Sequence, residues 1–227
     1  MHLLIFDIDG TLIDSVGIDD ACYVQAMREM HAMDLGAVDW NAFRHVTDQG
    51  IAEEVFMTRK GRQPRKEELA SLKQRFHALL QGHSETFREV PGARKMVARI
   101  SQLPEVALAV ATGGWRHTAS LKLSAAGFDL KDVPIVTSDD HADRREITRV
   151  AIERARALHT VRDFVTVTYV GDGLWDARTA HDLGIRFVGV DVHANRRLQQ
   201  AGVQHVLTDF RDLGHAFRCM LPEITLS

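Results

Sequence analysis

The stretch FDIDGTLIDS, Phe6 to Ser15, decides how the rest of the chain is read. It begins where the apolar run LLIF (Leu3 to Phe6) ends, and it sets Asp7 and Asp9 one residue apart, with Asp14 a few positions on. Along an extended backbone, residues i and i+2 point the same way, so Asp7 and Asp9 address one side of whatever lies beyond the strand. Gly10 allows a tight turn at that point. Carboxylates gathered so closely repel one another unless a cation or protons relieve them.

Working outward, the apolar runs are VALAVAT (Val106 to Thr112), PIVT (Pro134 to Thr137), VTVTYV (Val165 to Val170), FVGV (Phe187 to Val190) and a weaker HVLT (His205 to Thr208). Most are continuous rather than alternating, as strands covered on both faces are. Helical patterns separate them: Ile147, Val150, Ala151, Ala155 and Leu158 recur at helical spacing. Alternating strands and helices predict right-handed crossovers and a parallel sheet. The interval from Ser15 to about Glu89 is different and holds no convincing strand. Two helical stripes run through it, Ile18, Cys22, Ala26, Met30 and Leu69, Leu72, Phe76, Leu79, His83, divided by the polar TRKGRQPRKEE and closed by Pro91-Gly92. The expected fold is therefore α/β, a Rossmann-like parallel sheet with an inserted all-helical domain. Residues 1–14 and 90–227 form the core and 15–89 the insert.

Open α/β sheets bind ligands beyond the carboxyl ends of their strands. Asp7 and Asp9 follow the first strand, Thr112 and Gly113-Gly114 follow VALAVA, and GDGLWD after VTVTYV supplies Asp172 and Asp176. DRRE, at a helix start, adds Arg144 and Arg145. A hard divalent ion suits such oxygen donors, and Mg2+ suits a partly hydrated site that also holds phosphate. One carboxylate of the Asp-x-Asp pair can attack phosphorus, while the other protonates the leaving oxygen and then activates water. Thr112 and the glycines after it form a phosphate cradle at a helix start, and an arginine neutralises the remaining charge.

DIDGTLIDS, VATGG, RRE and GDGLWDARTAHDLGI, in this order and each after a strand or at a helix start, resemble the haloacid-dehalogenase (HAD) superfamily in its phosphatase branch. The helical interval resembles that superfamily's cap domain, and GV…VLTDF…L resembles the end of phosphoglycolate-phosphatase-like members. The resemblance implies that Asp7 is the nucleophile that becomes an aspartyl-phosphate. It makes Asp9 the general acid/base, with its backbone carbonyl on the metal, and Thr112 the phosphate-binding hydroxyl. Asp172 becomes a metal ligand, and Asp176 an acid supporting the metal directly or through water; a carboxylate that only braces its loop is the alternative for Asp176. The usual lysine is replaced by RRE, where Arg145 is the expected phosphate contact and Arg144 the second candidate, otherwise read as solvated. An acid at position 9 favours phosphoryl transfer over carbon–halogen cleavage.

The remaining residues have plainer readings. Asp14 and Ser15 are expected to start the first helix of the insert. Trp115 and Trp175 are read as packing residues, and the DDHAD segment around His141 lacks metal-ligand spacing. In FRHVTDQG, Arg44, His45, Asp48 and Gln49 form a polar stretch placed facing the core site. With 227 residues, 26% charged and a net charge of −3 with the signs interspersed, no basic field recommends nucleic acid or a membrane. Two cysteines without CxxC spacing, an early first strand and no long apolar run indicate a cytoplasmic protein. The expected activity is Mg2+-dependent hydrolysis of a small phosphorylated metabolite. A sugar-phosphate mutase using the same residues is the near rival, and a phosphoacceptor or binding protein the distant one.

Overall fold

The computed structural model describes residues 1–224. In chain order, β1 (His2–Phe6) and β2 (Ile13–Asp14) precede α1 (Val16–His31), α2 (Asp48–Lys60) and α3 (Lys66–Gly82). There follow β3 (Arg88–Glu89), α4 (Ala93–Ile100), β4 (Val106–Ala111), α5 (Arg116–Ala125), β5 (Ile135–Val136) and α6 (Arg144–His159). The chain continues through β6 (Val167–Gly171), α7 (Leu174–Asp182), β7 (Arg186–Val190), α8 (Arg197–Gln200), β8 (Val206–Leu207) and α9 (Leu213–Met220).

Six strands form one parallel sheet in the order β5-β4-β1-β6-β7-β8. The chain builds outward from β1 through β4 and β5, then crosses back to β6 on the other side. The order therefore reverses at β1, and the carboxyl ends of β4, β1 and β6 meet at the crevice where such sheets bind ligands. Strand β1 shows why the apolar runs are continuous. Leu4 and Phe6 enter one core cluster and Leu3 and Ile5 the other, so each face of the sheet is covered. Ile147, Ala151 and Ala155 of α6 close one face. Met96, Val97 and Ile100 of α4, with Phe217 of α9, close the other.

The segment between β2 and β3 holds α1, α2 and α3 and two single 3-10 turns. The turn after α2 follows from Gly61, whose φ of 66° ends the helix in the left-handed region. Leu72, Phe76 and Leu80 of α3 share a core cluster with Ala26 and Met27 of α1, so the two helical stripes face each other. Two details differ from the sequence reading. The interval contains a strand after all, because Arg88–Glu89 pairs antiparallel with Ile13–Asp14 and ties the segment's way in to its way out. Asp14 is thereby an exposed strand residue 3.4 Å from His193, and does not start a helix. Among the described residues no helix is long and apolar enough to cross a membrane.

Candidate active site

Hydrogen bonding continues past β1: Asp7 N–H donates to the Val170 carbonyl at 2.9 Å, which fixes the backbone just beyond the strand. The Ile8 N–H donates to Asp7 Oδ1 at 2.8 Å, and Oδ2 accepts from Arg144. The chain then turns at Gly10, φ 72°, where a Cβ would lie 2.3 Å from Asp172 Oδ2. Glycine meets both demands there, a left-handed conformation and a close approach to a carboxylate. Asp172 follows β6, and Asp176 sits in the first turn of α7, where its Oδ2 accepts from Gly173 N–H at 2.9 Å. One carboxylate oxygen from each of Asp7, Asp172 and Asp176 lies within 4.8 Å of the other two. Thr112, buried at the end of β4, accepts from Gly114 N–H at 3.1 Å, which leaves its hydroxyl proton free to donate elsewhere.

The two arginines of DRRE part company at the start of α6. Asp143 caps the helix by accepting from Arg145 N–H. Arg144 turns inward and is 8% exposed; its Nη1 donates to Asp176 Oδ1 at 2.7 Å and to Asp7 Oδ2 at 3.1 Å, and its Nη2 to the Val46 carbonyl at 3.0 Å. Arg145 turns outward and pairs with Asp143 at 2.7 Å. The expectation is corrected on both counts: Arg144 is the buried cation at Asp7, and Arg145 stands outside. Successive helical residues lie about 100° apart, so adjacent positions do not share an environment. Gly113 makes the room, since a Cβ there would meet Arg144 Nη2 at 2.2 Å.

The electrostatics ask for more positive charge. Burial pushes the Asp7 carboxyl up to about 7; Arg144 opposes this, while Asp176 and Asp9 add to it. Asp172 and Asp176 are likewise raised by burial, Asp172 further by Asp176, Asp7 and Asp9. Three convergent oxygen donors in an environment that penalises their charge fit a hard divalent cation.

The chain matches the haloacid dehalogenase-like hydrolase family over residues 4–190. It belongs to that family. No curated protein matches it by sequence. Among solved structures, a hydrolase from Pseudomonas syringae is similar over the whole of both chains, with 22% identity and a TM-score of 0.73. A candidate beta-phosphoglucomutase from Bacteroides vulgatus matches all of this chain and 91% of its own, at 16% identity and TM-score 0.72. A candidate phosphoglycolate phosphatase from Lactobacillus plantarum matches 93% of this chain and 96% of its own, at 20% identity and TM-score 0.61.

In this haloacid dehalogenase-like hydrolase the acidic cluster opens into a cavity of about 140 Å³. Asp7, Asp9, Thr112, Gly113, Arg144 and Asp172 line it from the sheet side, and Asp19, Tyr23, Trp40 and Asp48 from the helical segment. Part of FRHVTDQG is what docks here. Asp48 N–H donates to the Gly113 carbonyl at 2.8 Å, Asp48 Oδ2 accepts from Trp115 N–H at 2.8 Å, and the Thr47 hydroxyl donates to the Ala142 carbonyl. Arg44 and His45 line a neighbouring cavity with Arg145 instead. Trp115 is buried packing, as expected, but Trp175 is half-buried and lines both cavities.

Besides Tyr23 and Trp40, two charged residues, Lys122 and Asp19, escaped the sequence reading. Lys122, fully buried on α5, donates to both carboxylate oxygens of Asp9 and to Asp19 Oδ1, each at 2.6 Å. A signal was available, because Lys122 sits on the same helical face as Thr118, Ala119 and Leu123, and lysine is seldom buried unless paired. Asp19 carries no comparable signal, since an acid in the first turn of a helix is an ordinary placement.

Proposed function

We propose that this hydrolase is a Mg2+-dependent phosphatase acting on a small phosphorylated metabolite, with Asp7 carrying an aspartyl-phosphate. The observation behind the reading is the convergence of Asp7, Asp172 and Asp176 within 4.8 Å, with Arg144 on Asp7 and a cavity in front. Asp7, Asp172, Asp176 and the backbone carbonyl of Asp9 would hold the ion, which supplies charge stabilisation to the transferring phosphoryl group.

The chain's own residues divide the remaining work. Asp7 Oδ2 attacks phosphorus, forming the new O–P bond as the bond to the substrate's alcohol oxygen breaks. Asp9 gives its proton to that departing oxygen and later takes one from the water that cleaves the aspartyl-phosphate. The Thr112 hydroxyl and the backbone at Gly113 face the phosphoryl oxygens, and Arg144 takes the part first given to Arg145. Residues 15–89 act as the cap: Tyr23, Trp40 and Asp48 form the far wall of the cavity, exclude bulk water and select the leaving group. Cys22 and Cys219 are free thiols, which suits a cytoplasmic location.

The deciding experiment measures phosphate release from a panel of phosphorylated metabolites, with Mg2+ or with EDTA, for the wild type and Asp7→Asn. Mg2+-dependent turnover that vanishes in D7N is expected. Isomerised sugar phosphate without free phosphate would establish a mutase instead. Neither product from any compound would overturn the reading in favour of a phosphoacceptor or binding role.

A further inference from the structure

Lys122 is an uncommon use of a lysine. Its side chain is 1% exposed, in the second turn of α5, and among the described residues its hydrogen bonds go to two carboxylates. Burial opposes its charge, but Asp19 and Asp9 more than compensate and hold the ammonium above its usual range. An ammonium taken out of water needs such partners, and a lysine that only fills space would be replaced by methionine at lower cost.

The choice of partners gives the lysine a task. Asp9 is the residue matched to proton transfer, and Lys122 grips both of its oxygens while the Ser15 hydroxyl donates to Oδ1 at 2.5 Å. A carboxylate held by donors on both oxygens has its plane and rotamer fixed. Asp19 belongs to α1, the first helix of the inserted segment, whereas Lys122 belongs to the sheet's own helix α5. The ammonium therefore joins Asp9 to that segment at the wall of the cavity.

We infer that Lys122 is a positioning residue for Asp9, aiming its carboxyl group at the departing oxygen and tying that aim to Asp19 of the helical segment. The inference rests on the phosphatase reading for Asp9's role. Lys122 touches no reacting atom; it fixes the oxygen from which the proton leaves as the P–O bond breaks and its electron pair passes to the alcohol oxygen. Misplacing a general acid matters most when the leaving group is poor, since a good one departs without a proton.

The test compares kcat/KM for phenyl phosphate and p-nitrophenyl phosphate, two probes of similar shape that differ in leaving-group quality. Wild type, Lys122→Met, Lys122→Arg and Asp9→Asn are measured, each after a thermal melt confirms folding. Expected for Lys122→Met is a loss of about 10²-fold on phenyl phosphate and under about 5-fold on p-nitrophenyl phosphate, in kcat rather than KM, following the pattern of Asp9→Asn. Lys122→Arg keeps the charge but not the reach, and should show a smaller loss of the same selectivity. It decides the matter by the same ratio if Lys122→Met does not fold. Equal losses on both probes, or no loss on either, would overturn the inference. Wild type that is folded and turns over neither probe, nor any metabolite of the panel, would instead mark the failure of the phosphatase reading itself.

Discussion

Arg144 and Arg145 are neighbours in sequence and opposites in environment, and the difference can be measured. Replacing Arg144 with Ala leaves Asp7 and Asp176 buried without their cation, a kind of change that costs about 3–5 kcal/mol. Denaturant titration of metal-free Arg144→Ala should show that loss, and its turnover should collapse. Arg145→Ala breaks only the pairs of a half-exposed side chain with Asp143 and Asp182, so its unfolding midpoint and its kcat/KM should match the wild type. Gly113→Ala probes the same point from the other side. The added Cβ would press on Arg144 Nη2 at 2.2 Å and the Val46 carbonyl at 2.9 Å. Displacement of that order at a reacting centre lowers kcat/KM by about 10²-fold, so steady-state kinetics on a folded variant should show a loss of that size. At this scale the meeting of Asp7, Asp9, Thr112 and Asp172 at one cavity was legible in the sequence because each follows a strand within three residues. The arginine was not, since nothing in RRE says which side chain the helix turns inward.

At the scale of elements, the helical segment is held against the sheet by an aromatic contact. Tyr23 of α1, Phe76 of α3 and Trp115 ahead of α5 meet with ring centroids 5.4 to 6.0 Å apart. Trp115 is 1% exposed, and deleting a buried ring of this size costs about 3–5 kcal/mol. Trp115→Ala should lower the unfolding midpoint accordingly and raise KM, because Tyr23, which lines the cavity, would lose the ring it packs on, while the backbone N–H that holds Asp48 stays. A drop in stability with KM unchanged would show that the contact holds the fold without shaping the cavity. The helices themselves were readable from their apolar stripes. The two-residue strands Ile13–Asp14 and Arg88–Glu89 were not, because they are too short to carry a period.

For the whole molecule, the carboxylates of the crevice make stability depend on pH. Burial raises Asp7 and Asp19 to about 7 and Asp20 to about 6. In the unfolded chain all three titrate near 4, so between about 4 and 7 the native state holds more protons. Their contribution to stability is therefore complete at low pH and is lost as pH rises through that window. In EDTA the melting temperature should fall from about pH 5 to about pH 8 by this term, and Asp7→Asn should flatten the fall. Mg2+ binds the ionised cluster, so its stabilising shift should be larger at the higher pH. A Mg2+ shift independent of pH would count against an ion held by Asp7, Asp172 and Asp176.

The sequence by itself determined the class of fold and the acids that lie just beyond β1 and β6. Strand and helix periods are local, and a parallel sheet whose order reverses at its first strand brings the ends of β4, β1 and β6 together whatever the intervening details. Only the tertiary structure decided which cation serves the site, where FRHVTDQG docks, and that Lys122 reaches Asp9. These are contacts between side chains 137 and 113 residues apart for the Arg144–Asp7 and Lys122–Asp9 pairs, set by helix rotation and by how the inserted segment packs. A burial that charged groups accept only when paired becomes visible once both partners are in place.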